Sequence, residues 1–234
     1  MVFLLPGCAY LDFPGDLLGK SIDESLLEQP LPCPEPPKSC AESRAIKQAI
    51  ELLQSAQRPL LIVGKGVAYS RAERVVNDFV RMSNIPVLAT PMGKGVVDDA
   101  DAHSVGPARS LALQQADVIL LLGARLNWIL HFGRAPRFDP NVKIIQVDIQ
   151  PEEFHNSVQA SVALAGDVGA IMEQLVDQSR AAYLKYDDSL QWWSKLRAKC
   201  ESNRHFNASM AADFTVPLNY FAVLTQVQQM IPKG

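Results

Sequence analysis

Apolar residues gather in short blocks along this chain, and the blocks are separated by stretches in which apolar positions return every third or fourth residue. Pro59–Val63, Pro86–Thr90, Asp117–Leu122, Val142–Val147 and Val162–Ala165 are the blocks. Continuous apolar runs of this length predict strands covered on both faces. Between and around them, Ala45, Ile46, Ala49, Ile50, Leu52 and Leu53 share one side of a helix that starts at Ser43, with Ala41-Glu42 at its edge. Ala72, Val75, Val76, Phe79 and Val80 mark a second helix, Leu111-Ala112-Leu113 a short third, and Val168–Val176 a fourth. Strands alternating with helices predict an α/β fold, a parallel sheet of about five to six strands with helices on both faces. Lys143 and Gln146 predict that the fourth strand is less deeply covered than Asp117–Leu122, the most apolar of the set.

Outside this alternating region the pattern changes. Val2–Phe13 reads as the last strand and turn of a preceding domain, so residues 1–28 are expected to be the end of a truncated unit. Prolines at 30, 32, 34, 36 and 37 make 29–40 a stiff surface linker. The α/β domain is then expected over 41–178. Residues 179–216 are more polar, with Trp192, Trp193 and Leu196 docking one helix onto the domain. Leu218, Phe221, Leu224, Val227 and Met230 give 217–234 an amphipathic helix with no later partner in the sequence, so both ends read as truncated.

Composition narrows the function classes. A formal net charge of −3 gives no general reason to expect nucleic acid or an anionic membrane as partner. No apolar run approaches the roughly 18 residues of a membrane span. Cys8, Cys33, Cys40 and Cys200 form no Cys-x-x-Cys pair, so neither a zinc site nor a disulfide framework is expected, and an intracellular setting is the simpler reading. The apolar start Met1–Ala9 lacks the basic beginning and the length of a signal peptide.

Candidate chemistry collects where the strands end. Lys65, Lys94, Arg125, Asp148 and Asp167 each follow the carboxyl end of a predicted strand, where open α/β sheets bind ligands. The turn Gly64-Lys65-Gly66 is expected either to bring backbone N–H groups and a lysine charge close to a phosphate or to serve as a purely structural turn. Thr90-Pro91 stands where a dinucleotide site needs an acid, which disfavours hydride transfer. His131, in an apolar stretch, is expected to be a hydrogen-bonded structural histidine. His103, His155 and His205 are isolated, and Ser70, Ser110 and Ser157 lack a nucleophile-elbow context. Glu152 and Glu153 are accounted for by a helix start after Pro151, and Asp98-Asp99 and Asp187-Asp188 by solvated loops. No complete catalytic set and no metal site emerges.

Four segments carry a resemblance. Gly64–Tyr69, Thr90–Val97, Ala116–Val118 with Leu122–Trp128, and Gln146–Ile149 resemble the central domain of thiamine-diphosphate-dependent enzymes, and Gly123–Gly133 most resembles the branch of 2-hydroxyacyl-CoA lyase and oxalyl-CoA decarboxylase. The resemblance implies three α/β domains, of which this chain would hold the central one with pieces of its neighbours. It places the activating glutamate before this sequence and the Gly-Asp-Gly magnesium and diphosphate motif after it, so thiamine diphosphate and Mg²⁺ would sit outside this chain. Gly166-Asp167-Val168-Gly169 is not that motif. In CoA-using members the central domain is expected to bind ADP or the ADP part of CoA. Gly64, Lys65, Gly66 and Arg125 would lie at the phosphates, with Lys94 a further contact; Asp148 and Ile149 would frame ribose and adenine, and Asp167 with Val168 would close the adenine side. The implied activity is carbon–carbon cleavage of a 2-hydroxyacyl-CoA to formyl-CoA and a shortened aldehyde, in peroxisomal α-oxidation, by a homo-oligomer. This piece alone would be inactive. An oxalyl-CoA decarboxylase, an acetolactate-synthase-like enzyme and a non-catalytic scaffold are the alternatives.

Overall fold

The chain divides into two compact units, Met1–Lys38 and Ser39–Gly234, and the computed structural model describes residues 10–27 and 37–232. In the first unit α1 (Gly15–Leu18) and a 3₁₀ turn at Glu24–Leu26 bury no residue. Tyr10–Phe13, expected to end a strand, forms neither strand nor helix and is exposed. The remainder of that expectation, Val2–Ala9 with Cys8, lies outside the described residues, as do most of the proline stretch with Cys33 and the last two residues.

In the second unit the apolar blocks become β1 (Pro59–Val63), β2 (Val87–Ala89), β3 (Val118–Leu122), β4 (Lys143–Asp148) and β5 (Val162–Ala165). They form one five-stranded sheet in the order β2-β1-β3-β4-β5, and all four pairings are parallel. The helices are α2 (Ser43–Ser55), α3 (Lys65–Tyr69), α4 (Glu73–Ser83), α5 (Arg109–Gln115), α6 (Val168–Ala181), α7 (Gln191–Ala211) and α8 (Tyr220–Met230). The predicted single helix after the first strand is therefore two, α3 and α4, and Arg71 between them takes a left-handed backbone with φ 53°.

Alternation along each strand sorts the side chains into two cores. Leu61, Val63, Leu120, Leu122, Ile145 and Val147 pack with Ile46 and Leu53 of α2, Val76 and Phe79 of α4, and Met172 and Leu175 of α6. Leu60, Ile62, Ile119, Leu121 and Ile144 pack with Leu113 of α5 and with Trp192, Trp193 and Leu196 of α7. Both faces are thus covered, as unbroken apolar runs require. The tryptophans of α7 also satisfy backbone carbonyls: Trp192 Nε1 donates to Pro59 O at 2.9 Å and Trp193 Nε1 to Asn84 O at 3.1 Å. Each brings a large apolar ring and pairs its one polar atom.

The shallower cover expected of β4 holds at Lys143, which is exposed, and fails at Gln146. Gln146 is 0% exposed, because β4 lies between β3 and β5 and is covered on both faces. Its amide Nε2 donates to Glu153 O at 3.0 Å, while Oε1 has no partner among the described residues. α8 in contrast buries only Ala222. Phe221, Leu224, Val227 and Met230 are all exposed, so the helical spacing read there yields a helix whose apolar side chains face solvent.

Candidate functional site

In a sheet of this strand order, the chain leaves β1 toward one face and β3 toward the other, and open α/β sheets bind ligands outside the carboxyl ends at such a switch point. Lys65 follows β1 and Arg125 follows β3, so both bracket that switch point. Asp148 closes β4, the next strand along, and Asp167 follows β5. Lys94 follows β2 at the sheet's edge. All five charged residues singled out in the sequence therefore lie along one edge of the sheet, in the order of its strands.

The glycines of the first turn have a different task from cradling an anion. Gly64 N donates to Leu122 O at 2.9 Å and Gly66 N to Gly123 O at 3.0 Å, so both amides are spent on the neighbouring strand and the loop after it. A Cβ on Gly64 would stand 2.4 Å from Gly123 O, and one on Gly66 2.7 Å from Gly123 Cα. These glycines let two backbones touch, and the phosphate-facing amides expected of them are not open. Lys65 beside them is half-buried, and its Nζ lies 5.7 Å from the centroid of the exposed Tyr69 ring.

Arg125 meets a partner that the sequence reading assigned to a helix dipole. Its Nε lies 2.9 Å from Glu153 Oε1, and its Nη2 donates to Gln150 Oε1 at 3.0 Å. Both partners belong to the tight segment that leaves β4, where Pro151 opens a 3₁₀ turn and brings Glu153 back over the sheet edge. The signal was available in the short reach from Asp148 to Pro151. Asp148 accepts a hydrogen bond from Gln150 N at 2.9 Å and is 8% exposed. Burial pushes its carboxyl above the ordinary carboxylate range and the charge of Glu153 adds to the rise, while the Gln150 N–H and Arg125 oppose it. Ile149 beside it is 42% exposed, an apolar surface open at the site's edge.

The remaining expected contacts are engaged elsewhere. Asp167 caps α6 by accepting from Ala170 N at 3.0 Å, and its other oxygen accepts from Ser70 Oγ at 2.9 Å. Ser70 Oγ in turn accepts from Gly169 N at 2.8 Å, so Asp167 and Ser70 together tie α3 to the start of α6. Val168 is 3% exposed and packs within the core. Lys94 donates to Asp99 at 2.6 Å, both side chains being well solvated. His131 is exposed rather than held in an apolar pocket, and it and Phe132 both adopt left-handed backbone at φ 49° and 56°. Bulky residues rarely do so, and such turns concentrate at functional edges. The turn presents Trp128, 73% exposed, and Phe132 on the same edge as Arg125.

A concavity of about 500 Å³ lies elsewhere, between Ala100–Val105 and α7, beside the amino end of β2. Its Arg197 pairs with Asp188 at 2.6 Å and its Arg204 with Glu201 at 3.8 Å, so it offers no uncompensated charge from these arginines. Among the described residues no three His, Cys, Asp or Glu side chains converge on a metal-sized point. No described helix is long and apolar enough to cross a membrane.

The family profile of the thiamine pyrophosphate enzyme central domain matches residues 46–175, the stretch that holds the entire sheet. The chain belongs to this family. Within it, the chain is 44% identical over 228 residues to mouse 2-hydroxyacyl-CoA lyase 1 and 43% identical over 228 residues to its human counterpart, in each case over 97% of this chain and 39% of the relative. It is 34% identical over 237 residues to oxalyl-CoA decarboxylase of Escherichia coli, over 97% of this chain and 40% of that protein. The chain thus spans about two-fifths of the length of the curated relatives it matches. The family is named for thiamine pyrophosphate, and among the described residues no carboxylate, histidine or cysteine cluster fits the metal that would accompany a diphosphate.

Proposed function

We propose that this chain is the nucleotide-recognition part of a thiamine-diphosphate-dependent 2-hydroxyacyl-CoA lyase and binds the ADP portion of CoA along the carboxyl edge of its sheet. The observation that carries this reading is the coincidence of the β1/β3 switch point with Lys65 and Arg125, with Asp148 on the adjoining strand. Cations that follow two adjacent strands suit a pyrophosphate, and a carboxylate one strand further suits ribose hydroxyls. The names and identities of the relatives support a CoA thioester as substrate. The thiamine diphosphate and Mg²⁺ that perform the carbanion chemistry are held by residues other than those described here, and the implied setting is peroxisomal α-oxidation in a homo-oligomer.

Calorimetric titration of the folded chain with ADP and with CoA is the test. Saturable heat with both ligands, weakened about tenfold in Lys65→Ala and in Arg125→Ala, is expected from the loss of one charge-assisted contact. A folded sample that gives no heat with either ligand overturns the site. Carbon–carbon lyase activity from this chain alone overturns the assignment of the chemistry to other residues. Oxalyl-CoA decarboxylase is the neighbouring reading, favoured by the 34% identity, and assay of the longer protein with each CoA ester separates the two. A scaffold reading draws on the solvent-facing apolar side of α8; it requires binding mutants that leave the activity of the longer protein untouched.

A further inference from the structure

The buried glutamine of β4 has no place in the proposed nucleotide site, yet it leads directly to one of that site's cations. Gln146 is fully buried, donates to Glu153 O at 3.0 Å, and leaves Oε1 without a partner among the described residues. A leucine would occupy a similar volume with no orphaned oxygen. What the glutamine adds is the bond to the 3₁₀ turn Pro151–Glu153, which hangs that turn from the sheet. The turn region in turn holds Arg125 twice, through Glu153 Oε1 at 2.9 Å from Nε and through Gln150 Oε1 at 3.0 Å from Nη2.

A guanidinium has five N–H donors. Nη2 donates to Gln150 Oε1 and Nε is ion-paired with Glu153, which leaves Nη1 uncommitted among the described residues, and that edge can meet an anion. Resting on the nucleotide reading above, we infer that Gln146 and Glu153 are positioning residues for Arg125: the glutamine fixes the turn, and the turn fixes the arginine in a phosphate-ready orientation. Without them the side chain, nearly half exposed, would sample many rotamers and lose freedom on binding. The Glu153 charge also lessens the positive potential that a phosphate meets. With the Glu153 side chain only 18% exposed that opposition is screened only in part, whereas the ordering of a long side chain is unaffected by salt, so the direction of the affinity change in Glu153→Ala decides between the two roles.

The experiment uses the full chain, titrated with ADP in a calorimeter, together with ¹⁵N relaxation of the Arg125 Nε–H signal. Gln146→Leu keeps every charge and removes only the anchor. It is expected to weaken ADP binding roughly fivefold and to make the Arg125 signal mobile, with the melting temperature within roughly 3 °C because the lost bond to Glu153 O is offset by removal of the orphaned Oε1. Glu153→Ala is expected to do the same, and Glu153→Gln, which retains length and an acceptor, to restore much of both. Unchanged affinity and unchanged Arg125 order in Gln146→Leu and Glu153→Ala overturn the inference, and so does tighter binding in Glu153→Ala, which would make the carboxylate a competitor. An absence of ADP heat in the unaltered chain, with Arg125 ordered and released by Glu153→Ala, defeats the nucleotide reading and sustains the positioning.

Discussion

Two corners of the same sheet edge are built from opposite materials. At the β1/β3 corner, Gly64, Gly66 and Gly123 bring main chain against main chain, with no side chain between. Between β3 and β4, Arg125 meets Gln150 and Glu153 through side chains and the Gln146 amide reaches the Glu153 carbonyl, on a turn that Glu153 N closes by donating to Gln150 O at 3.1 Å. A backbone contact has no slack, so it fixes the frame of the site. A side-chain contact can be altered without disturbing the frame, so it is where recognition can be tuned.

The sharpest way to break the comparison is Gly123→Ala. The new Cβ would stand 2.5 Å from Gly66 Cα on a residue whose φ is 53°. Overpacking against immovable backbone and a left-handed conformation together should cost about 3 kcal/mol or more. A chemical denaturation curve should show that loss or a failure to fold. A near-normal midpoint would mean that the corner has slack after all. At the corner between β3 and β4, Arg125→Ala should cost about 1 kcal/mol, because Arg125 is nearly half exposed while its partner Glu153 is 18% exposed and loses its counter-charge. It should weaken ADP binding about tenfold while the melting temperature stays within roughly 3 °C.

Asp167 sharpens the contrast from the backbone side. Its carboxylate caps α6 and receives the Ser70 hydroxyl, so Asp167→Ala should lose about 1 kcal/mol of stability in denaturant. ADP affinity should hold, and a matching drop in affinity would return Asp167 to the site. The smallest effect belongs to Asp148. Its folded-state carboxyl titrates above the ordinary value of 3.8, chiefly through burial. Between 3.8 and that raised value the folded chain binds more protons than the unfolded chain, so this group's contribution to stability falls as pH rises through the window. Asp148→Asn should therefore raise the melting temperature slightly at neutral pH, and the gain should vanish below the window. A gain that persists at low pH would point to a cause other than ionisation.

The fold was legible because each strand is an unbroken apolar block and each main helix shows its periodicity. The positions of Lys65, Arg125 and Asp148 followed from strand ends alone. What was not legible depended on who pairs with whom. Gln146 was read as a sign of shallow cover because a polar residue in a strand usually is. Its use as an anchor for a turn seven residues on requires a contact that no periodicity encodes. Glu153 sits near a helix-like start, which accounts for its charge locally, and its pairing with Arg125 depends on the turn folding back onto the loop after β3. The turn Gly64-Lys65-Gly66 carried a motif whose phosphate meaning needs free amides, and only tertiary pairing shows that β3 and the loop after it have taken them.

The three tryptophans fall on the two sides of this division. Trp192 and Trp193 are 3% and 1% exposed, while Trp128 on the Arg125 loop is 73% exposed. Intrinsic fluorescence of this chain therefore has two spectrally separable sources, a blue-shifted pair that reports the packed interior and a red-shifted, quencher-accessible indole at the sheet edge. Iodide will silence the second and spare the first, so one cuvette can follow occupancy of the edge and integrity of the core as independent signals, with no added label.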